Sequence, residues 1–102
     1  MMIRNEQNAK VHILATCCVT AAGFYFHLSA FEWIVIVIAI GGVLAAEIFN
    51  TSIEELSNKV SPEYNETIKQ VKDFAAGGVL LMSIAALIVG CIIFLPKIAL
   101  LF

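Results

Sequence analysis

Three apolar runs, separated by short polar or turn-forming stretches, organise the chain. The first extends from Val11 to about Ser29 and is interrupted only by His12, His27 and a few hydroxyls. The second starts at Trp33 and runs through IVIVIAIGGVLAA to Ala46, and the third, Phe74 to Leu95, carries no charge. Each approaches the roughly 20 residues a helix needs to cross about 30 Å of hydrocarbon. The pattern therefore predicts an all-α membrane protein of one domain, residues 1–102, with spans of about 11–29, 31–50 and 74–95. Ile34 to Ile40 is mostly β-branched and would pass for a buried strand, but a lone strand cannot satisfy its backbone in lipid.

Punctuation between the runs sets the expected boundaries. Tyr25, Phe26, Phe31 and Trp33 surround Leu28-Ser29-Ala30, as in an interfacial aromatic belt around a tight turn. The second helix is expected to continue past its apolar part to about Val60. Ser61-Pro62-Glu63 then reads as a helix start, with Ser as N-cap and Pro at the first helical position. Pro96 and Lys97 are expected to end the third span. Gly41, Gly42 and the Ala86/Gly90 pair provide small surfaces for close helix approach.

The most informative departure from hydrophobicity comes where the second run leaves the membrane. Glu47, Asn50, Glu54 and Asn58 fall at i, i+3, i+7 and i+11. At about 100° per residue they share an arc of roughly 80° on one helix face. Acids and amides at that depth require a partner, a cavity or a cation, which marks a functional site. Two carboxylates one or two turns apart suit a hard divalent cation such as Mg²⁺. A polar interhelical seam, or plain solvated charge at headgroup level, is the alternative these residues leave open. Glu47 lies deepest and is the costliest to ionise.

Composition agrees with a membrane setting: 61% of residues are hydrophobic and 14% charged, and mean hydropathy is +0.94. A net charge of −2 offers nucleic acid no basic surface. Cys17, Cys18 and Cys91 lie inside apolar runs without a C-x-x-C pair and read as packing residues. The first run lacks a small-residue cleavage site and two more follow, so it reads as a span and not a signal peptide. Arg4 and Lys10 precede the first span and Lys59, Lys69 and Lys72 lie between the second and third, while the first turn has no Lys or Arg. The positive-inside rule then puts the N-terminus and segment 51–73 in the cytoplasm, and the C-terminus outside. In that orientation the Asn50-Thr51-Ser52 and Asn65-Glu66-Thr67 sequons are out of reach of glycosylation. Glu6, Asn8, Glu47, Asn50, Glu54, Lys69, Lys72 and Asp73 all fall at this one membrane face. Carboxylates for a metal, a lysine near phosphates and an acid able to take a hydroxyl proton are what phosphoryl transfer requires.

EIFNTSIEEL at 47–56, SPEY at 61–64 and KDFAAGGVLL at 72–81 resemble the prokaryotic diacylglycerol kinase/undecaprenol kinase family. The family hallmark is E-x-x-N-[ST]-[AS]-I-E followed by K-D and small residues opening the third span, and NEQNAKVHI at 5–13 resembles its E-x-N segment. The resemblance implies a homotrimer of three-span subunits in the bacterial inner membrane, with active sites shared between neighbours on the cytoplasmic side. It implies ATP as phosphoryl donor, Mg²⁺ as cofactor and a membrane lipid alcohol as acceptor. Undecaprenol is the expected acceptor, because the E-x-N and K-V-H stretch looks closer to that branch; diacylglycerol is the alternative. By resemblance Glu54 matches the catalytic, metal-binding glutamate and Glu6 the other metal ligand. Glu47 and Asn50 match residues lining the site, Lys72 and Asp73 match nucleotide-contacting positions, and Asn8 belongs to the same cofactor-binding set.

Two departures stand out. Family members usually carry a longer, basic amphipathic N-terminal helix, whereas Met1-Met2 here lead almost directly into the E-x-N segment. Asn58 also stands where Asp is usual, so that position adds no negative charge. A small proton-coupled transporter is the reading from another class, but it would place its acid in mid-span and usually has four spans. An inactive membrane protein is a third.

Overall fold

The computed structural model describes the backbone of residues 2–102 and the side chains of residues 10–102. Three helices follow one another: α1 (Met2–Phe26), α2 (Ala30–Val60) and α3 (Glu66–Leu101). They form a rod of 54 × 23 × 21 Å, as long as α3 alone, since 36 residues at about 1.5 Å each give roughly 54 Å. α3 packs along α2, and α1 touches α2 more sparsely.

The apolar residues of this rod point outward. Among the described hydrophobic residues only Leu28, Ile36 and Ala39 are buried, while Phe24, Val37, Ile38, Phe49, Leu81 and Leu87 are among the many exposed. Water does not stabilise such a surface; lipid or further protein does. α2 and α3 are each long and apolar enough to cross a membrane, and the described apolar part of α1, Lys10–Phe26, is shorter.

Close approach is built at two glycines. A Cβ on Gly23 would lie 2.5 Å from the Trp33 ring, and one on Gly42 would lie 2.5 Å from Met82 Cε. The first contact closes α1 onto α2, with the Phe24 and Trp33 rings 5.0 Å apart; the second seats α3 on α2. Within this chain Gly41 meets only open space and Gly90 borders a groove. The three cysteines are exposed on the rod and not packed inside it.

Local chemistry fixes the turns. α1 ends in a Schellman motif: Leu28 N–H donates to Gly23 O at 3.2 Å and His27 N–H to Phe24 O at 3.4 Å. His27 supplies the required left-handed residue, with φ 55°. Ser29 then caps α2 through a reciprocal box with Glu32, accepting from Glu32 N–H at 3.2 Å while Glu32 Oε1 accepts from Ser29 N–H at 3.0 Å.

Two expected boundaries are corrected. α3 does not start at Pro62 under a Ser61 cap; it starts at Glu66 under Asn65, whose side chain accepts from Ile68 N–H at 3.1 Å. Starting at Pro62 would leave one residue to reverse the chain between antiparallel helices, and connections of this kind need two or more. Ser61 instead closes α2, its N–H donating to Ser57 O at 2.9 Å and its hydroxyl to Glu63 O at 3.1 Å. Nor does the helix stop at Pro96. α3 continues to Leu101, and Lys97 Nζ, one residue past the proline, lies 3.0 Å from Glu32 Oε2. That pair secures the turn that lost a backbone hydrogen bond, as neighbouring helices do for proline within membranes.

Candidate active site

α2 is one uninterrupted helix from the apolar run into the polar segment, so Glu47, Asn50, Glu54 and Asn58 lie on a continuous ladder. All four are half-buried, whereas Glu55, between Glu54 and Leu56, is exposed. The stripe thus faces the body of the protein.

Each member has a different partnership. Glu47 Oε2 lies 3.6 Å from His12 Nε2 on α1, with the two side chains only 12% and 20% exposed. Asn50 Oδ1 is buried and accepts no hydrogen bond among the described residues. Such a buried acceptor calls for an incoming donor or cation. Glu54 makes no ion pair or hydrogen bond among the described residues. Asn58 accepts a hydrogen bond from the Lys72 ammonium across the α2–α3 interface. Lys72 is therefore oriented by a neutral amide and not by a carboxylate.

The connection between α2 and α3 adds a second polar surface. A cavity of about 290 Å³ is lined by Asn58, Tyr64, Asn65, Lys69, Lys72 and Asp73, among others. Lys69 Nζ lies 2.9 Å from Asp73 Oδ2 one helical turn on. That hydrogen bond, with the Asp73 charge, raises the Lys69 pKa above the usual lysine range. The Tyr64 hydroxyl donates to the Glu66 carboxylate, which pushes its pKa up in turn. Asp73 is thus engaged by Lys69 and exposed, while Lys72 points back to the stripe.

The structure therefore joins Asn58 to Lys72, places Asp73 on the wall of the same cavity and leaves Glu54 uncommitted. The Glu6 and Asn8 side chains lie outside the described residues. Among the described residues no three His, Cys, Asp or Glu side chains gather as a metal cluster. An uncommitted carboxylate and an orphaned amide oxygen are nonetheless hard oxygen donors, and Mg²⁺ commonly takes one or two carboxylates and completes its shell with phosphate oxygens and water. His12 is the neighbour that sequence reasoning missed. A histidine inside an apolar run was the available signal, but nothing local ties it to Glu47.

An exposed apolar rod with a stripe of acids and amides at one end describes a membrane-embedded chain carrying polar chemistry at its interface. The comparisons with known proteins define the class. The profile of the prokaryotic diacylglycerol kinase family matches residues 1–94. The chain belongs to that family and is a lipid kinase. Among its relatives, undecaprenol kinase of Bacillus subtilis (strain 168) is 38% identical over 94 residues, covering 92% of this chain and 76% of that protein. Diacylglycerol kinase of Synechocystis sp. (strain ATCC 27184 / PCC 6803 / Kazusa) is 36% identical over 92 residues, 89% of this chain but 53% of that protein. No solved structure matches the chain significantly.

Proposed function

We propose that this chain is an ATP- and Mg²⁺-dependent kinase that transfers the γ-phosphoryl group to a membrane alcohol, with undecaprenol as acceptor. The observation that carries the reading is the half-buried stripe of α2, where Glu54 and the Asn50 oxygen, both without a partner among the described residues, lie on the helix that also holds Lys72 through Asn58. Similarity to an undecaprenol kinase over 92% of the chain supports the acceptor. Diacylglycerol stands second, supported by the relative named for it.

In this mechanism the acceptor hydroxyl gives its proton to the Glu54 carboxylate while its oxygen forms a bond to the γ-phosphorus. The bond from that phosphorus to the bridging oxygen breaks, and ADP leaves. Glu54 and Glu6 would hold Mg²⁺, which supplies charge neutralisation for the phosphates. Lys72 faces the developing negative charge with an ammonium that Asn58 orients without neutralising. Asp73 and Asn8 complete the nucleotide contacts, and Glu47 and Asn50 line the path of the alcohol. The assembly is a homotrimer of three-span subunits in the inner membrane, with the N-terminus and the site on the cytoplasmic face. The Lys and Arg distribution supports that orientation, and the trimer follows from the family resemblance.

Purified protein given ATP with labelled γ-phosphate, and either a polyprenol or a diacylglycerol, tests the reading. Preferential labelling of the polyprenol is the expected result. Preference for diacylglycerol would transfer the assignment to the second acceptor, and labelling of neither would overturn the kinase reading.

A further inference from the structure

Among the described residues of α1, His12 is a half-buried titratable residue with no role in the chemistry above. Its Nε2 lies 3.6 Å from Glu47 Oε2, longer than a hydrogen bond but within the apolar part of the rod, where the carboxylate has no other partner among the described residues. An acid at this depth is tolerated when a specific partner faces it, and deleting one member of such a pair leaves the other uncompensated. The imidazole has a second neighbourhood as well. His12 lines an apolar groove of about 400 Å³ among the three helices, together with residues such as Ile36, Ile40, Ala86 and Gly90. Glu47 does not line that groove, so His12 is the residue common to the groove and the carboxylate contact. The turn carrying His12 is itself braced, because the Thr16 hydroxyl donates to the His12 carbonyl at 2.8 Å.

We infer that His12 is a positioning residue of the phosphoryl-transfer site: from α1 it fixes the Glu47 carboxylate on α2 at the polar end of the groove. The inference rests on the lipid-kinase reading above for its effect on catalysis, and on the geometry alone for the contact. α1 touches α2 sparsely, so this contact is one of the few that tie the two helices together. Held in one orientation, Glu47 presents a fixed polar wall beside the path of an alcohol whose aliphatic part lies in apolar surroundings, so that the hydroxyl meets Glu54 in one alignment. Without His12 the carboxylate turns away, and the hydroxyl loses its alignment.

The test uses the full chain with ATP and a polyprenol. His12→Leu should lower kcat roughly ten- to a hundredfold, the scale of a small misplacement at a reacting centre, with KM for ATP unchanged. His12→Gln, which keeps a side-chain N–H donor, should restore most of that loss. In a Glu47→Gln background His12→Leu should cost nothing further. Independently of activity, the His12 imidazole nitrogen NMR signals should shift in Glu47→Gln and stay in place in Glu55→Gln. Wild-type kcat in His12→Leu, equal losses in both backgrounds, or nitrogen signals indifferent to Glu47→Gln would each overturn the inference. A wild-type protein that phosphorylates no lipid would instead sink the kinase reading, and the nitrogen signals would still decide whether His12 holds Glu47.

Discussion

The two ends of the α2–α3 pair treat their polar groups in opposite ways. Around the α1–α2 turn the capping groups have partners: Ser29 and Glu32 cap each other, Glu32 also pairs with Lys97, and the last carbonyls of α1 are closed by a Schellman motif. At the other end Glu54 has no partner and the Asn50 oxygen is buried without a donor among the described residues. Both ends hold acids close to an apolar run, so the membrane alone does not explain the contrast. Satisfied groups hold a fold together. Unsatisfied ones cost stability, and they persist where a substrate or ion completes them.

The sharpest way to break this comparison is to remove the Glu54 charge. Glu54→Gln keeps the size of the side chain, and kcat should fall by about two or more orders of magnitude, the scale of a general base. The melting temperature should hardly change, because Glu54 makes no described ion pair or hydrogen bond to lose. Glu55→Gln, exposed on the same helix, is the control and should retain activity. Activity near normal in Glu54→Gln would remove Glu54 from the chemistry.

Asn50 gives the next largest effect and a change of opposite signs. Replacing a buried acceptor that lacks a donor with an apolar side chain relieves about 1 kcal/mol or more of desolvation cost. Asn50→Leu should therefore melt higher than wild type while losing roughly tenfold or more in kcat, since the proposed function puts Asn50 on the path of the alcohol. Thermal melting and a transfer assay on the same preparation check both. A variant that melts lower would mean that Asn50 has a structural partner.

These contrasts were only partly legible in the sequence. The three helices followed from the apolar runs, and the stripe followed from the spacing of Glu47, Asn50 and Glu54, because helical periodicity is a local property. Partnerships between helices are not local. His12 meets Glu47 and Lys97 meets Glu32 only through the antiparallel register of the rod, which no short window encodes. The start of α3 was misplaced for a related reason. Ser61-Pro62 and Asn65-Glu66 are both good caps, and the space needed to turn between packed helices chose the second. Pro96 reads as a stop by backbone chemistry, and the Lys97–Glu32 contact overrides it.

The satisfied end yields smaller effects, on stability and not on rate. Lys97→Met removes the ammonium that faces Glu32 beside Pro96. The melting temperature should drop and α3 should fray beyond Pro96, which amide hydrogen exchange from residue 97 onward would report. Phosphoryl transfer at saturating substrate should stay within about twofold, since Lys97 lies at the far end of α3 from Lys72. Raising the salt concentration should weaken the wild-type contact and leave Lys97→Met unmoved. A large loss of activity in this variant would erase the division between the two ends.

The smallest effect is expected at His27, and its sign is the informative part. His27 sits at φ 55° in the Schellman turn that ends α1. A left-handed conformation costs a residue bearing a Cβ roughly 1–2 kcal/mol, and glycine escapes that cost while losing more backbone entropy on folding. The two terms oppose each other, and the net change for His27→Gly should be a gain of up to about 1 kcal/mol. The gain holds only if the imidazole does nothing beyond occupying the turn. His27→Ala, which keeps a Cβ but loses the polar side chain, should be neutral or slightly destabilising, so the pair separates backbone strain from side-chain contact. Should glycine destabilise the protein, the imidazole must contribute an interfacial contact larger than the strain it bears, and the turn would then owe its stability to the ring.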